Sequence, residues 1–311
     1  MKKKVLLKLP GDEEPAIVSY QGRSSQAVII GVDTDMGRAL SRSLSAVGFL
    51  VIGLGEADEM PGVALSEYRK SDYSSFGVPD ECNLVLYCHD ALGDSARHVG
   101  ILEALCRELA MSHTDENQVN VCVFTPASAC AAAHCIREDT ALLPHSLREM
   151  VCVQAEMTLH AWCFKSHTAI LPQIIRHGEL YGIEGGHVAS CLRRAASGQD
   201  LLIPGLGNQR RTLTHIEDFA DAAATLLKGD FPTSPINIPG ENMDVIEYVS
   251  PIADCYGLEL FMSRDCFSEE LPWGVGDCAL SASLFKSEFP AFRLRHSFQK
   301  WLSANYKLAV R

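Results

Sequence analysis

The run Ala27-Val28-Ile29-Ile30 is apolar without interruption, too short for a helix and of the kind buried on both faces. A glycine-bounded loop follows it, then helical spacing over about 37–47, which Gly48 ends. Phe49-Leu50-Val51-Ile52-Gly53-Leu54 is a second buried strand. Strand, tight turn, helix, glycine and strand predict a βαβ unit. The alternation continues with Leu84-Val85-Leu86-Tyr87-Cys88, a helix over about 96–110, and the strand Val119-Asn120-Val121-Cys122-Val123-Phe124. A long helix over about 146–164 and the strand Ala169-Ile170-Leu171 follow. Apolar strands interleaved with amphipathic helices predict an α/β protein with a doubly wound parallel sheet. Past residue 183 the pattern loosens into short elements rich in Gly and Pro. Before residue 26, two strand-like runs, Val5-Leu6-Leu7-Lys8-Leu9 and Ala16-Ile17-Val18-Ser19-Tyr20, flank a turn-rich stretch and predict a hairpin. The expected division is an extension over 1–25, a main domain over 26–182, and a smaller C-terminal α/β lobe over 183–311 interleaved with it.

Composition narrows the function. The 311 residues are 47% hydrophobic and 21% charged, enough apolar material for a sizeable core. A net charge of −12 argues against holding nucleic acid by general phosphate attraction, and against a basic membrane-surface binder. No apolar run approaches the length of a membrane span. The apolar stretch after Met1-Lys2-Lys3-Lys4 is cut by Lys8 and Pro10, so no secretion signal forms and a cytoplasmic location is expected. The 12 cysteines show no C-x-x-C pairing, which predicts buried free thiols, without disulfides and without a metal site.

Specific motifs then carry a family resemblance. Gly31-Val32-Asp33-Thr34-Asp35-Met36-Gly37 has the outer glycines of a G-x-x-G-x-x-G nucleotide loop. The stretch from Gly205-Leu206-Gly207-Asn208-Gln209-Arg210-Arg211 through Thr214-His215-Ile216-Glu217-Asp218 to Ala222 resembles G-x-G-x-Q-x-R-D-F-V-H-V-D-D-x-A-x-A. Tyr181-Gly182 sits at a Y-G position, and Lys286-Ser287-Glu288-Phe289-Pro290 is similar to a closing K-x-x-L-G-W. In order and content these resemble the extended short-chain dehydrogenase/reductase family, the NAD-dependent nucleotide-sugar epimerases and dehydratases, over about residues 26–303. The resemblance implies a Rossmann-type domain over 26–182, a substrate lobe, NAD or NADP as cofactor, and a nucleotide-sugar-like ligand.

The same resemblance exposes departures at the family's chemical positions. Gly31, Thr34, Asp35, Met36 and Gly37 are the candidate phosphate loop, yet Thr34 replaces the middle glycine and Asp33 and Asp35 flank it. Two carboxylates beside a diphosphate cost Coulomb energy, and a side chain at the close-approach position adds a steric cost. Gly55 fills the slot of the ribose-binding acid, with Glu56 a substitute one place on. Tyr87-Cys88-His89-Asp90 stands where small residues let a cofactor lie against the sheet. The Tyr and Lys of the catalytic pair correspond to Arg148 and Cys152. An arginine stays protonated, and a thiol gives no positive field to a tyrosinate. Ala127, with Ser128 beside it, fills the serine slot. Glu179 replaces a sugar-facing Asn, while Arg211, the family's diphosphate clamp, is present and follows Arg210.

His89, His134 and His145 are alternative acid/base groups, expected near the carboxyl ends of strands. The resemblance also implies a homodimer, or a heterodimer with an active family member, through the helices near 96–110 and 146–164. The favoured expectation is a degenerate, non-catalytic member acting as a binding, regulatory or assembly protein. The alternative is an active epimerase, dehydratase or reductase using Glu56, Ser128 and a histidine. An RNA-binding role is a third reading, which the acidic balance disfavours.

Overall fold

A computed structural model describes residues 26–60, 64–88, 95–166, 169–229, 234–263 and 276–306; the hairpin expected in 1–25 lies outside them. In chain order the elements begin with β1 (Gln26–Ile30), α1 (Asp35–Ala46), β2 (Leu50–Gly55), β3 (Glu67–Lys70) and β4 (Leu84–Tyr87). Then come α2 (Ser95–Ser112), β5 (Val119–Pro126), β6 (Ala133–Ile136), α3 (Leu147–Lys165), β7 (Ile170–His177) and β8 (Glu179–Tyr181). They continue with α4 (Gly186–Ala196), β9 (Leu201–Pro204), β10 (Arg210–His215), α5 (Ile216–Lys228) and β11 (Ile236–Asn237). The last are β12 (Glu241–Asp244), α6 (Val245–Tyr256), β13 (Leu260–Ser263), β14 (Cys278–Leu280), α7 (Ser283–Glu288) and α8 (Phe298–Asn305).

Seven strands form one sheet in the order β11-β7-β5-β4-β1-β2-β3. β1 pairs in parallel with β2 and β4, β2 with β3, and β4 with β5. The order reverses between β1 and β4, the topological switch point beside which open α/β sheets bind ligands at the carboxyl ends of their strands. The apolar runs have their reason here. Val28, Ile30, Ile52, Leu54, Val85, Val121 and Val123 pack in one cluster with Leu102, Leu105 and Leu109 of α2 and Leu159 of α3. Ala27, Ile29, Val51, Leu84 and Leu86, alternating with them along their strands, are buried as well. Each such side chain contributes roughly 1.5–3 kcal/mol on leaving water.

β7 runs eight residues, well past the expected Ala169-Ile170-Leu171. Past Leu171 it takes in Pro172, Gln173, Arg176 and His177, strand-breaking or polar by type, around Ile174 and Ile175. Arg176 and His177 are nonetheless buried, with Arg176 Nη1 donating to Glu138 O at 3.0 Å and His177 Nδ1 2.7 Å from Gly178 O.

Contacts divide the chain into two units. One takes the chain up to Thr125 with Val151–Ile175 and Ala220–Ile236; the other takes Pro126–Met150, Arg176–Phe219 and Asn237 onward. A cut near residue 182 does not describe this division. β5 and β7 each pass the chain from the first unit to the second at their carboxyl ends, so both units are assembled from separated segments. In the second unit β10 is central, antiparallel to β12 and parallel to β8 and β14, while β14 pairs with β6 and β9 with β13. Its own core joins Val188 and Leu192 of α4, Tyr248, Val249 and Ile252 of α6, and Phe298 and Leu302 of α8. No helix among the described residues is long and apolar enough to cross a membrane.

Candidate ligand-binding site

In the first unit, the turn after β1 begins with Gly31 at φ +76° and runs into α1. Thr34 is the N-cap of that helix. Its Oγ1 accepts the Gly37 N–H at 3.0 Å and donates to Gly31 O at 2.8 Å. The expected intrusion of Thr34 into the close-approach position is thus corrected: the side chain turns inward. Its effect is to occupy a helix N-terminal amide of the kind that binds phosphate. A Cβ on Gly37 would run into the Gly31 carbonyl, so α1 is pressed directly against the turn.

The two flanking acids are not unpaired, which corrects the simple picture of repelling charges. Asp35 pairs with Arg38 at 2.5 Å, and Arg38 Nη1 also donates to Asp33 O at 2.6 Å. The Asp33 carboxylate swings to the end of β2, where Oδ2 accepts the N–H groups of Glu56 at 2.7 Å and Ala57 at 3.1 Å. A Cβ at Gly55 would lie 2.8 Å from the Asp33 carboxyl carbon, so Asp33 fills the space above that strand end. Glu56 is paired with Arg97 at 2.5 Å; Arg97 also donates to Asp72 O and lies over the Tyr73 ring. Met36 is half-buried in the turn. Tyr87, expected to crowd a cofactor face, belongs instead to the core under α2, its hydroxyl donating to His98 O at 2.6 Å.

A capping box starts α3: Glu149 Oε2 accepts the N–H groups of His145 at 2.7 Å and Ser146 at 3.1 Å, and Ser146 Oγ accepts the Glu149 N–H at 3.2 Å. This fixes the first turn, in which Arg148 is exposed, with buried Cys152 one turn on. Arg148 therefore presents a permanently charged guanidinium to solvent, and Cys152 an inward thiol one turn on. Ala127 is buried and Ser128 half-buried in the short helical turn Ala127–Ala129 after β5. Of the alternative histidines, His145 has an exposed side chain. His134 lies within β6 rather than at a strand end, exposed and 2.9 Å from Asp277 Oδ2. His89 lies outside the described residues.

The second unit gathers a buried polar cluster. Glu179 on β8 accepts the N–H of His187, in the first turn of α4, at 2.7 Å. Burial raises its pKa above the ordinary carboxylate value, against the pull of that N–H and of Arg148 and Arg211. Arg211 on β10 is buried and donates to the carbonyls of Arg210 and Gly276. Arg210 differs: its side chain is exposed and its N–H goes to Asp277 Oδ1 at 2.6 Å. His187 places Nδ1 3.3 Å from the Tyr248 hydroxyl and Nε2 3.0 Å from Cys191 Sγ. Burial, then the Arg211 charge, holds His187 well below its usual pKa, and burial pushes the Cys191 thiol up to about 12. Two guanidinium groups, Arg148 and Arg211, act on the buried Glu179 carboxyl in this cluster.

Sequence reasoning missed Glu149 as a cap, although Ser146-x-x-Glu149 is its signature. It also missed His187 and Cys191 on α4 and Tyr248 on α6, which only the fold brings together.

A sequence profile of the NAD dependent epimerase/dehydratase family matches residues 153–238. No curated protein matches the chain by sequence. Among solved structures, UDP-glucuronic acid 4-epimerase from Bacillus cereus, in complex with UDP-glucuronic acid and NAD, superposes with a TM-score of 0.72 at 16% identity. The match covers 91% of this chain and 98% of that one. The fold is that of the NAD-dependent epimerases and dehydratases. A dTDP-glucose 4,6-dehydratase from Streptomyces venezuelae, with NAD bound, gives 0.69 at 14% identity, covering 91% and 96%. UDP-glucose 4-epimerase from Thermus thermophilus, complexed with NAD, gives 0.70 at 14%, covering 91% and 98%. The epimerase-type fold thus extends over nearly the whole chain, while its sequence has moved far from these relatives.

Proposed function

We propose that this protein is a non-catalytic relative of the nucleotide-sugar epimerases and dehydratases, binding a nucleotide-sugar-like anion through Arg211 and carrying out no hydride transfer. The observation that carries the reading is the content of the α3 slots: exposed Arg148 and buried Cys152. Proton transfer at a sugar hydroxyl needs a group whose pKa can be set near the working pH. Arginine cannot be brought there.

The residues of the β1–α1 turn do not fit NAD or NADP held in the family's manner. Thr34 Oγ1 takes the Gly37 N–H, and Asp33 takes the two N–H groups at the end of β2. Both would have to be displaced before a diphosphate and a ribose could use those places. No step is therefore routed through a dinucleotide. The active alternative has weaker support, because Glu56 is engaged by Arg97 and the side chain of His145 points to solvent. A dimer, with itself or an active relative, is in keeping with exposed Met111 on α2 and exposed Met150, Met157 and Phe164 on α3.

Native mass spectrometry of the purified protein, with calorimetry against NAD(H), NADP(H) and UDP-glucuronic acid, tests the reading. The expected result is no co-purifying dinucleotide, no dinucleotide heat, and UDP-sugar binding that Arg211→Ala weakens at least about tenfold, the loss of one charge-assisted bond. A retained NAD together with turnover of a nucleotide sugar overturns it.

A further inference from the structure

The start of α5 and the segment before α8 meet in the second unit, bringing together side chains about eighty positions apart in sequence. His215 and Glu217 belong to the β10–α5 junction, and His296 precedes α8. One nitrogen of each imidazole and one Glu217 oxygen lie within 4.8 Å of one another. His296 Nε2 and Glu217 Oε2 are 3.5 Å apart. The rings of His215 and His296 stack with centroids 3.9 Å apart and planes 23° from parallel.

What sets this apart from a chance cluster is the support behind His296. Buried Asp218 accepts the N–H groups of Arg295 and His296, each at 3.0 Å, and its Oδ1 lies 3.1 Å from His296 Nδ1. The carboxylate thus directs the Nδ1 proton to itself, fixes the ring and leaves Nε2 facing Glu217. A carboxylate behind an imidazole whose other nitrogen is free is the usual outer support of a metal-ligating histidine. Arg295 is turned to Asp218, its Nε 3.8 Å from Oδ1, and its side chain is largely exposed. The cluster is also reachable: the side chain of Glu217 is 46% exposed and that of His296 28%, while His215 forms the buried floor.

We infer that His215, Glu217 and His296 form a binding site for a first-row divalent transition ion such as Zn²⁺, with Asp218 as the positioning residue. Two imidazoles and a carboxylate match the donor preference of zinc and its neighbours rather than calcium or magnesium. Ligand atoms around a tetrahedral ion at about 2.1 Å lie about 3.4 Å apart. The His296–Glu217 separation is already near that value, and the half-exposed Glu217 and partly exposed His296 can turn to close the remaining distances. Three protein ligands leave a fourth position to water.

The test is equilibrium dialysis of chelator-treated full-length protein against Zn²⁺ with elemental analysis, together with Co²⁺ absorption as a spectroscopic readout. One equivalent of Zn²⁺ and visible Co²⁺ bands are expected. His296→Ala should lower the affinity at least about tenfold, as should the half-exposed change Glu217→Gln, while His134→Ala at the other exposed His–Asp pair should not. Circular dichroism of the metal-free variants separates a lost ligand from a lost fold. Absence of stoichiometric Zn²⁺, or binding that both His296→Ala and Glu217→Gln leave unchanged, overturns the inference; so does loss with His134→Ala alone.

Discussion

Thr34 compresses the residue-scale lesson into one side chain. Its type predicts a steric obstacle, and its rotamer makes it a helix cap. Sequence discloses the first property but not the second, because the direction of Oγ1 is set by where the Gly37 N–H lies. Thr34→Ala removes the cap and should lower stability by about 1 kcal/mol in urea unfolding, with the slope unchanged. Gly37→Ala should cost more, about 3 kcal/mol, since the new methyl meets a backbone carbonyl that cannot move without shifting α1 from the sheet. Asp33 teaches the same point. Its charge is visible in the sequence, whereas the two amides it satisfies belong to a strand end over twenty residues away.

At the scale of elements, α3 was legible and β7 only half so. The helix carries its start signal, Ser146-x-x-Glu149, and a long apolar periodicity. Glu149→Ala leaves the N–H groups of His145 and Ser146 without that carboxylate. A loss of about 1–2 kcal/mol is expected, measured as a fall in the urea midpoint. Because the same turn fixes Arg148, this variant should also weaken any anion that Arg148 helps to hold. β7 escaped because Pro172-Gln173 interrupts its apolar run and Arg176-His177 ends it, and the partners that allow Arg176 and His177 to be buried, Glu138 and Gly178, are supplied by the fold. Helices bury periodic apolar faces and so announce themselves. A strand whose polar residues are satisfied by tertiary contacts does not.

The whole molecule sets its response to acid through histidines that folding keeps neutral. Burial, with a smaller push from the Arg148 charge, holds His177 at about 4, against the hydrogen bond to Gly178 O. Above the unfolded value of 6.5 the ring is neutral in both states and folding is unaffected. As pH falls from 6.5 towards 4 the unfolded chain binds the proton first. Stability should then fall, by about 3 kcal/mol across that window from this one residue. Urea midpoints at about pH 7 and about pH 4.5 measure it, and His177→Gln, which keeps a donor towards Gly178, should flatten the difference.

By itself the sequence determined the α/β class and the doubly wound parallel sheet, and it shows which residue types, Thr34, Arg148 and Cys152, stand where the resemblance expects a glycine, a tyrosine and a lysine. All of these follow from hydrophobic period or from residue chemistry at ordered positions, which are local properties of the chain. Only the tertiary structure decided that the Asp33 carboxylate takes two amides at the end of β2, that Asp35 pairs with Arg38, and that His215, Glu217 and His296 share one corner. Those facts depend on which distant segments are brought into contact, and contact across some eighty residues leaves no periodicity for a single sequence to display.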